Sequence, residues 1–335
     1  MIAEGAQIEE TRKVKTKLVT FVTDRGYLVP SLVAASQLIQ QKINSIADIR
    51  IYTIDITPEV LKLVSKAFIP QGIDIKALDT KSFVPAGDVH FYKNHVPLAA
   101  LARLSLHEVI EPNYKDIIYL DGDIQIVGDV RDLIAYTVPD GMILAGLGSA
   151  WLDIDGSILN RTPKDYLAGL GHVTSNTYFN SGVLAFNLTT WTKMAPLALR
   201  FFFENSAACI RHDQSALNAV FKGSVLELAP KYNFHSVYSD LYLQRRYRPA
   251  IIHFTGGNKP WGRAGPPWGG QFQESYRQIQ KTYPFLAPFL DVAPQTMIST
   301  RGLKWHARRW FLHGASLRQM RKRFFDHLNE TKFPC

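Results

Sequence analysis

Ile117-Ile118-Tyr119-Leu120-Asp121-Gly122-Asp123-Ile124-Gln125-Ile126-Val127 carries an uncharged, β-branched run straight into two carboxylates held one residue apart. Residues 117–120 have the composition of a strand covered on both faces. Acids at the carboxyl end of such a strand sit where open α/β sheets keep their ligand crevice. Gly122 allows the backbone to turn, so that Asp121 and Asp123 can reach one hard divalent cation whose other positions phosphate oxygens fill. The spacing suits a metal–diphosphate clamp; the alternative for an isolated Asp-x-Asp is a solvated turn.

Upstream, residues 18–24 read as a first strand ending in Asp24, followed by Tyr27, Pro30 and an amphipathic helix over 31–43. A strand at 49–54, a helix at 58–67 and an extended piece at 73–75 continue the alternation, which implies a mainly parallel sheet flanked by helices. No Gly-x-Gly-x-x-Gly follows the first strand and no Gly-Lys-Ser/Thr loop occurs, so a nucleotide here must be held by acids and metal. Residues 95–110 read as a helix with Arg103 as its interior cation, lying on a solvated face or aimed at phosphate or sugar oxygens.

Downstream, a strand at 142–147 precedes a second Asp-x-Asp, Asp153 and Asp155, in a polar loop where Asp153 can touch a sugar hydroxyl. Tyr178-Phe179-Asn180-Ser181-Gly182 opens a strongly apolar strand through Leu188, with either close approach of a ligand or a bulge at 180–182. Asp213 and Gln214 lie in the first turn of a helix, where Asp213 complements the dipole or serves a site. A last strand ends in His253, a packed residue or a ligand, followed by Gly256, Gly257 and Lys259, a lip for a diphosphate.

These segments, in this order, resemble family 8 of the glycosyltransferases over residues 17–265: Val19-Thr-Phe-Val-Thr-Asp24 with Tyr27, Tyr119-Leu-Asp-Gly-Asp-Ile124, Tyr178-Phe-Asn-Ser-Gly-Val183, His212-Asp-Gln214, and His253-Phe-Thr-Gly-Gly-Asn-Lys-Pro-Trp261. The resemblance implies an α/β GT-A fold, a UDP-hexose donor (UDP-glucose or UDP-galactose), Mn²⁺ (or Mg²⁺) as cofactor and transfer with retention. It implies Asp121, Asp123 and His253 as metal ligands and Asp24 and Tyr27 at the uracil and ribose. Gly122, Ser181, Gly256 and Lys259 join the donor site, Lys259 also stabilising the transition state. Arg103 falls near the donor sugar and phosphate, and Asn180, Asp213 and Gln214 at the sugar and reaction centre. Gln214, a poor nucleophile, would stabilise an oxocarbenium-like species during attack from the leaving-group face, and Asp213 would fix a hydroxyl or act as nucleophile. Residues 96–101, Val-Pro-Leu-Ala-Ala-Leu, depart from the hydroxylated or aromatic residues often found there in the family.

The organisation expected is a polar lead-in over 1–16, a GT-A catalytic domain over 17–290 and a basic, aromatic-rich tail over 291–335. Of the net charge of +9, residues 301–335 hold nine Lys or Arg against two acids, leaving about +2 for the rest. Trp305, Trp310, Phe311, Phe324 and Phe325 lie among these cations. Trp310, Leu317, Met320, Phe324 and Leu328 share one helical face, a pattern for an anionic membrane interface or for packing on the enzyme's own core. The first residues lack a basic, apolar signal, no uncharged stretch is long enough to span a bilayer, and Cys209 and Cys335 make no disulfide framework. A cytoplasmic enzyme, peripheral on the inner face of the membrane and acting on a glycolipid such as lipopolysaccharide, is the expectation, with no nucleic-acid partner. Alternatives are a glycogenin-like self-glucosylating enzyme, a nucleotide-sugar-binding protein and a metal-dependent phosphohydrolase.

Overall fold

The computed structural model describes residues 15–79, 98–155, 159, 162–171, 174–262, 268, 270–294 and 300–335. Most of the lead-in, the helix start expected at 95–97 and the Trp305 side chain lie outside them.

Seven strands form the main sheet: β1 Lys17–Thr23, β2 Asp48–Thr53, β3 Ile73–Ala77, β4 Asp116–Leu120, β6 Ile143–Leu147, β7 Phe179–Asn187 and β8 Val225–Glu227, ordered β3-β2-β1-β4-β7-β6-β8. β1 runs parallel to both β2 and β4, β2 to β3, and β6 to β8, while β7 runs antiparallel to β4 and β6. Helices α1 Leu28–Gln40 and α2 Pro58–Phe68 cross over between the parallel strands. β4 is buried along its whole length between two apolar layers, as its composition requires. This is the mainly parallel, helix-flanked GT-A sheet.

Helices α3 Leu188–Glu204 and α4 His212–Val220 follow β7. Asn187 caps α3 by accepting from Thr189 N at 2.8 Å. A three-stranded sheet of β5 Ile124–Ile126, β9 Phe234–His235 and β10 Ile251–His253, ordered β5-β10-β9, lies at the mouth of the larger one. Residues 98–109 are broken into two short α-turns separated by a 3₁₀ turn, Arg103–Ser105, so no long helix face exists there.

After α5 Gln273–Thr282, the tail forms α6 Thr300–Glu330, kinked at His313. Its apolar stripe does not face outward: Leu317, Met320 and Phe324 are buried in the core shared with β4, and Trp310 and Leu328 pack at its edge. Arg321 donates to Leu241 O, Arg323 to Trp151 O and Asp153 O, and Arg309 pairs with Asp240 at 3.2 Å. The helical spacing read from the sequence holds, but the protein's own core covers this stripe. Phe311 and Leu312 remain outside it, 89% and 55% exposed. Among the described residues, no helix is long and apolar enough to cross a membrane.

Candidate active site

Two sheets meet at the acidic pair. Leu120 lies opposite Val183, and Asp121 N donates to Gly182 O at 2.8 Å. Beyond the turn, β5 pairs antiparallel with β10, placing Ile124 opposite His253, and Phe254 N donates to Asp123 O at 2.9 Å. His253 Nε2 therefore stands 3.2 Å from Asp123 Oδ1 and 3.6 Å from Asp121 Oδ2. One ligand atom from each of the three residues lies within 4.8 Å of the others. Two carboxylate oxygens and one imidazole nitrogen fit a cation such as Mn²⁺.

Glycine is needed here for space. A Cβ on Gly182 would sit 2.1 Å from His253 Cε1 and 2.8 Å from Asp121 Oδ2, and one on Gly122 would sit 2.6 Å from Ser31 Oγ. The backbone at Gly122 does not take a positive φ, so close approach of α1 requires the glycine there, not an unusual turn.

His253 Nδ1 lies 2.9 Å from the amide oxygen of Asn233, a residue 1% exposed. An amide oxygen only accepts, so this bond assigns a proton to Nδ1 and turns Nε2 toward the acids. Asn233 Nδ2 donates to Asn180 Oδ1 at 2.9 Å, Asn180 Nδ2 to Gln214 Oε1 at 3.0 Å, and Gln214 Nε2 to Tyr178 OH at 2.6 Å. One hydrogen-bonded chain thus joins the imidazole to Gln214. The sequence reading passed over Asn233, whose only local signal is a small polar side chain inside an aromatic run.

Arg103 is buried. Its Nη2 stands 2.9 Å from Asp121 Oδ1 and its Nε 3.1 Å from Asp213 Oδ2, while Nη1 donates to Ser181 O at 2.8 Å. The guanidinium lies 4.5 Å above the Tyr119 ring, and Tyr119 OH donates to Asp121 Oδ1 at 2.9 Å. Burial opposes the charge on Arg103, but Asp121 and Asp213 outweigh it and its pKa is raised. Burial lifts the Asp213 carboxyl to about 6, with Arg103 pulling it down and Asp121 pushing it up. Asp213 Oδ2 is buried and, beyond its ion pair with Arg103, accepts no hydrogen bond. His212, at φ 52°, takes the left-handed conformation that turns the chain into α4. Such strain of about 1 kcal/mol is held where the surroundings fix it.

Lys259 Nζ bonds Asp123 Oδ2 and Phe254 O, and lies 5.7 Å above the Tyr27 ring. Burial works against the Lys259 ammonium, yet Asp123 raises its pKa; the Asp123 carboxyl, also opposed by burial, is held below the usual range by His253 and Lys259. Asp24 Oδ1 accepts from Gly26 N at 2.8 Å and Tyr27 N at 3.2 Å, forming the turn that presents Tyr27. Gly256, at φ 83°, uses the freedom of glycine at the lip. A cavity of about 210 Å³ adjoins this cluster, lined in part by Tyr178, Asn180, Arg211, Gln214, His235 and Gly256. Asp153 is not among its lining residues, and its carbonyl is held by Arg323.

Glycosyl transferase family 8 matches residues 18–265. General stress protein A of Bacillus subtilis is 26% identical over 240 residues, covering 64% of this chain and 77% of that protein. Lipopolysaccharide 1,2-glucosyltransferase of Escherichia coli is 27% identical over 178 residues, 49% of this chain and 50% of its own length. The crystal structure of galactosyltransferase LgtC with donor and acceptor sugar analogs has a TM-score of 0.61 at 21% identity, covering 83% of this chain and 98% of that one. That structural likeness is one of fold. With about three quarters of its residues matched by the family, the chain belongs to glycosyl transferase family 8, a family of glycosyltransferases.

Proposed function

We propose that this protein is a metal-dependent, retaining hexosyltransferase that moves glucose or galactose from a UDP-sugar to a hydroxyl of a glycan, the saccharide part of lipopolysaccharide or another surface glycolipid. The observation that carries it is the Asp121–Asp123–His253 cluster beside Lys259, adjoining the cavity of Asn180 and Gln214. Mn²⁺, or Mg²⁺, held by those three ligands would supply Lewis-acid charge for the departing diphosphate.

Lys259 adds a cation that, on donor binding, can turn from Asp123 to a phosphate oxygen. Tyr27, its ring edge-on to Trp261 at 5.9 Å, offers a face for uracil, and Asp24 lies beside it for the ribose. Asn180 takes a sugar hydroxyl, as does Asp213 once Arg103 yields its carboxylate. Gln214 Oε1 accepts from Asn180 Nδ2 and from Ser181 N at 3.2 Å, so its lone pairs are engaged and it serves as a fixed dipole, not a nucleophile. In the reaction the acceptor hydroxyl attacks C1 from the face of the leaving group. The bond from C1 to the phosphate oxygen breaks, the new glycosidic bond forms, and the acceptor's proton passes to the phosphate. The cavity's described lining has no Asp or Glu to serve as base from the opposite face, and its imidazole, His235, has Nε2 tied to Leu147 O at 3.1 Å.

A screen of UDP-sugars with Mn²⁺, reading UDP release and product anomer, tests this. Acceptor-stimulated UDP release from UDP-glucose or UDP-galactose with an α-linked product is expected. Release indifferent to acceptor would make the protein a phosphohydrolase, and hexose-sized mass steps on the protein itself would make it a self-glucosylating enzyme. Asn233→Ala is expected to weaken Mn²⁺ binding by about 10–100-fold, measured by calorimetry without donor, because His253 loses the partner that fixes its tautomer. Unchanged affinity would detach Asn233 from the metal site.

Membrane association, on this reading, runs through Phe311 and Leu312 beside exposed cations such as Arg308. Each cation near an anionic surface is worth about 1 kcal/mol. Phe311→Ser with Leu312→Ser should reduce pelleting with phosphatidylserine vesicles at moderate salt, without touching the buried stripe. Equal pelleting of variant and parent would remove this site.

A further inference from the structure

We propose that the cleft between α6 and the turns Ser149–Leu152 and Ser175–Thr177 is a second saccharide subsite, holding a unit of the acceptor glycan beyond the one that reacts. This rests on the transferase reading above. The cleft encloses about 640 Å³ and is lined among others by Trp151, Ser175, Asn176, Gln319, Asp326 and His327. That volume falls in the range of small-molecule sites.

The chemistry of the lining selects a neutral polyol. Hydroxyl, amide and carboxylate groups match the alternating donors and acceptors of a sugar ring. The cations that would draw a polyanion are already engaged: Arg323 Nη1 donates to Trp151 O at 3.1 Å and Asp153 O at 2.7 Å, Lys322 pairs with Asp326 at 2.7 Å, and His327 Nε2 meets Glu227 Oε1. Glu330 further offsets their charge. The wall is also rigid. Trp151 donates its indole N–H to Tyr238 OH at 3.3 Å and is packed between Phe324 and His327, with ring centroids at 6.2 and 4.7 Å. A wall fixed before binding loses little entropy when a ligand arrives.

The cleft adjoins the reaction cavity through two shared stretches of chain. Ser149 and Ala150 line the reaction cavity and Trp151 lines the cleft; Tyr178 and Asn180 line the former and Ser175 and Asn176 the latter. Neighbouring Cα atoms are about 3.8 Å apart and two residues span at most about 7 Å, so the two spaces flank the same two stretches of chain, within the reach of a short glycan. Packing of α6 onto the domain is what closes the far side of this cleft.

Saturation-transfer NMR with lactose, maltotriose and chitotriose at millimolar concentration, on the full chain, tests the proposal, with UDP and Mn²⁺ as the donor-site probe. At least one trisaccharide should show contacts on two or more rings. Asn176→Ala with Gln319→Ala, both at exposed positions, should abolish the contacts of the distal ring and weaken binding about five-fold for each hydrogen bond lost. Ser175→Trp, which fills the cleft, should do the same, and UDP binding should stay unchanged in both variants. Retention of every ring contact in both variants overturns the subsite, as does silence of the whole panel on wild-type protein that binds UDP. Absence of UDP binding is scored separately and overturns the transferase reading, whatever the sugars do.

Discussion

Asp123→Asn is expected to lower transfer by about a thousand-fold or more and to destabilise the protein even without metal. One side chain carries both effects. Its carboxylate is a proposed metal ligand, and it also meets His253 and Lys259 in a setting that is 13% exposed. Losing one preorganised electrostatic contact to a reaction centre costs about 10²–10³-fold, and here the charge that fixes two other site residues goes with it. For stability the sign follows from the depressed pKa of Asp123. A carboxyl whose folded value lies below its unfolded one stabilises the fold above the unfolded pKa and loses that contribution as pH falls through the folded value. At pH 7 the full contribution is present, and breaking such a buried pair costs about 3–5 kcal/mol. Thermal unfolding of metal-free protein at pH 7, Mn²⁺ calorimetry and UDP release together read the outcome. Near-normal transfer at saturating Mn²⁺ would remove Asp123 from the ligand set, and unchanged unfolding would show that Lys259 and His253 do not depend on it.

How much of this was legible in the sequence divides along local and distant causes. β4 and its acids were readable because a doubly covered strand is apolar throughout and the two carboxylates are nearly adjacent. The alternation of β1, α1, β2, α2 and β3 was readable because short apolar runs and helical periodicity are both local patterns. His253 joins the acids only because β10 pairs with β5, a register that no local pattern encodes; the family resemblance, not the spacing, pointed to it. Arg103 stands undecided between solvent and site in the sequence because residues 95–110 read as one helix, whereas a 3₁₀ turn points it inward at Asp121 and Asp213. Helix α3 was missed although its cap, Asn187, was in plain view, and β8 and β9 are too short to leave a pattern. The tail shows the limit of periodicity. Spacing located the stripe of Leu317, Met320 and Phe324, but a helix covered by lipid and one covered by its own domain have the same period.

Asp213→Asn is expected to separate activity from stability. Asp213 is 4% exposed, and burial holds its carboxyl near 6 instead of 3.8. The folded protein then binds this proton more tightly than the unfolded chain does. Its stability falls as pH rises from about 4 to about 6 and levels off above that, a loss of up to about 3 kcal/mol for a shift of about two units. Asn cannot ionise, so the variant escapes this loss. It should match the parent below pH 4 and exceed it at pH 7, with Arg103 still held by Asp121 and Ser181 O. Activity should move the other way, falling about a hundred-fold as the carboxylate that pairs with Arg103, and that is proposed to receive a sugar hydroxyl, becomes a weaker acceptor. Urea denaturation at pH 4, 5, 6 and 7, set beside UDP release at pH 7, measures both. A variant less stable than the parent by the same margin at every pH would make the Arg103–Asp213 contact a structural ion pair. One that is more stable at pH 7 and fully active would show that no donor hydroxyl relies on this carboxylate, leaving Asn180 and Gln214 alone to orient the sugar.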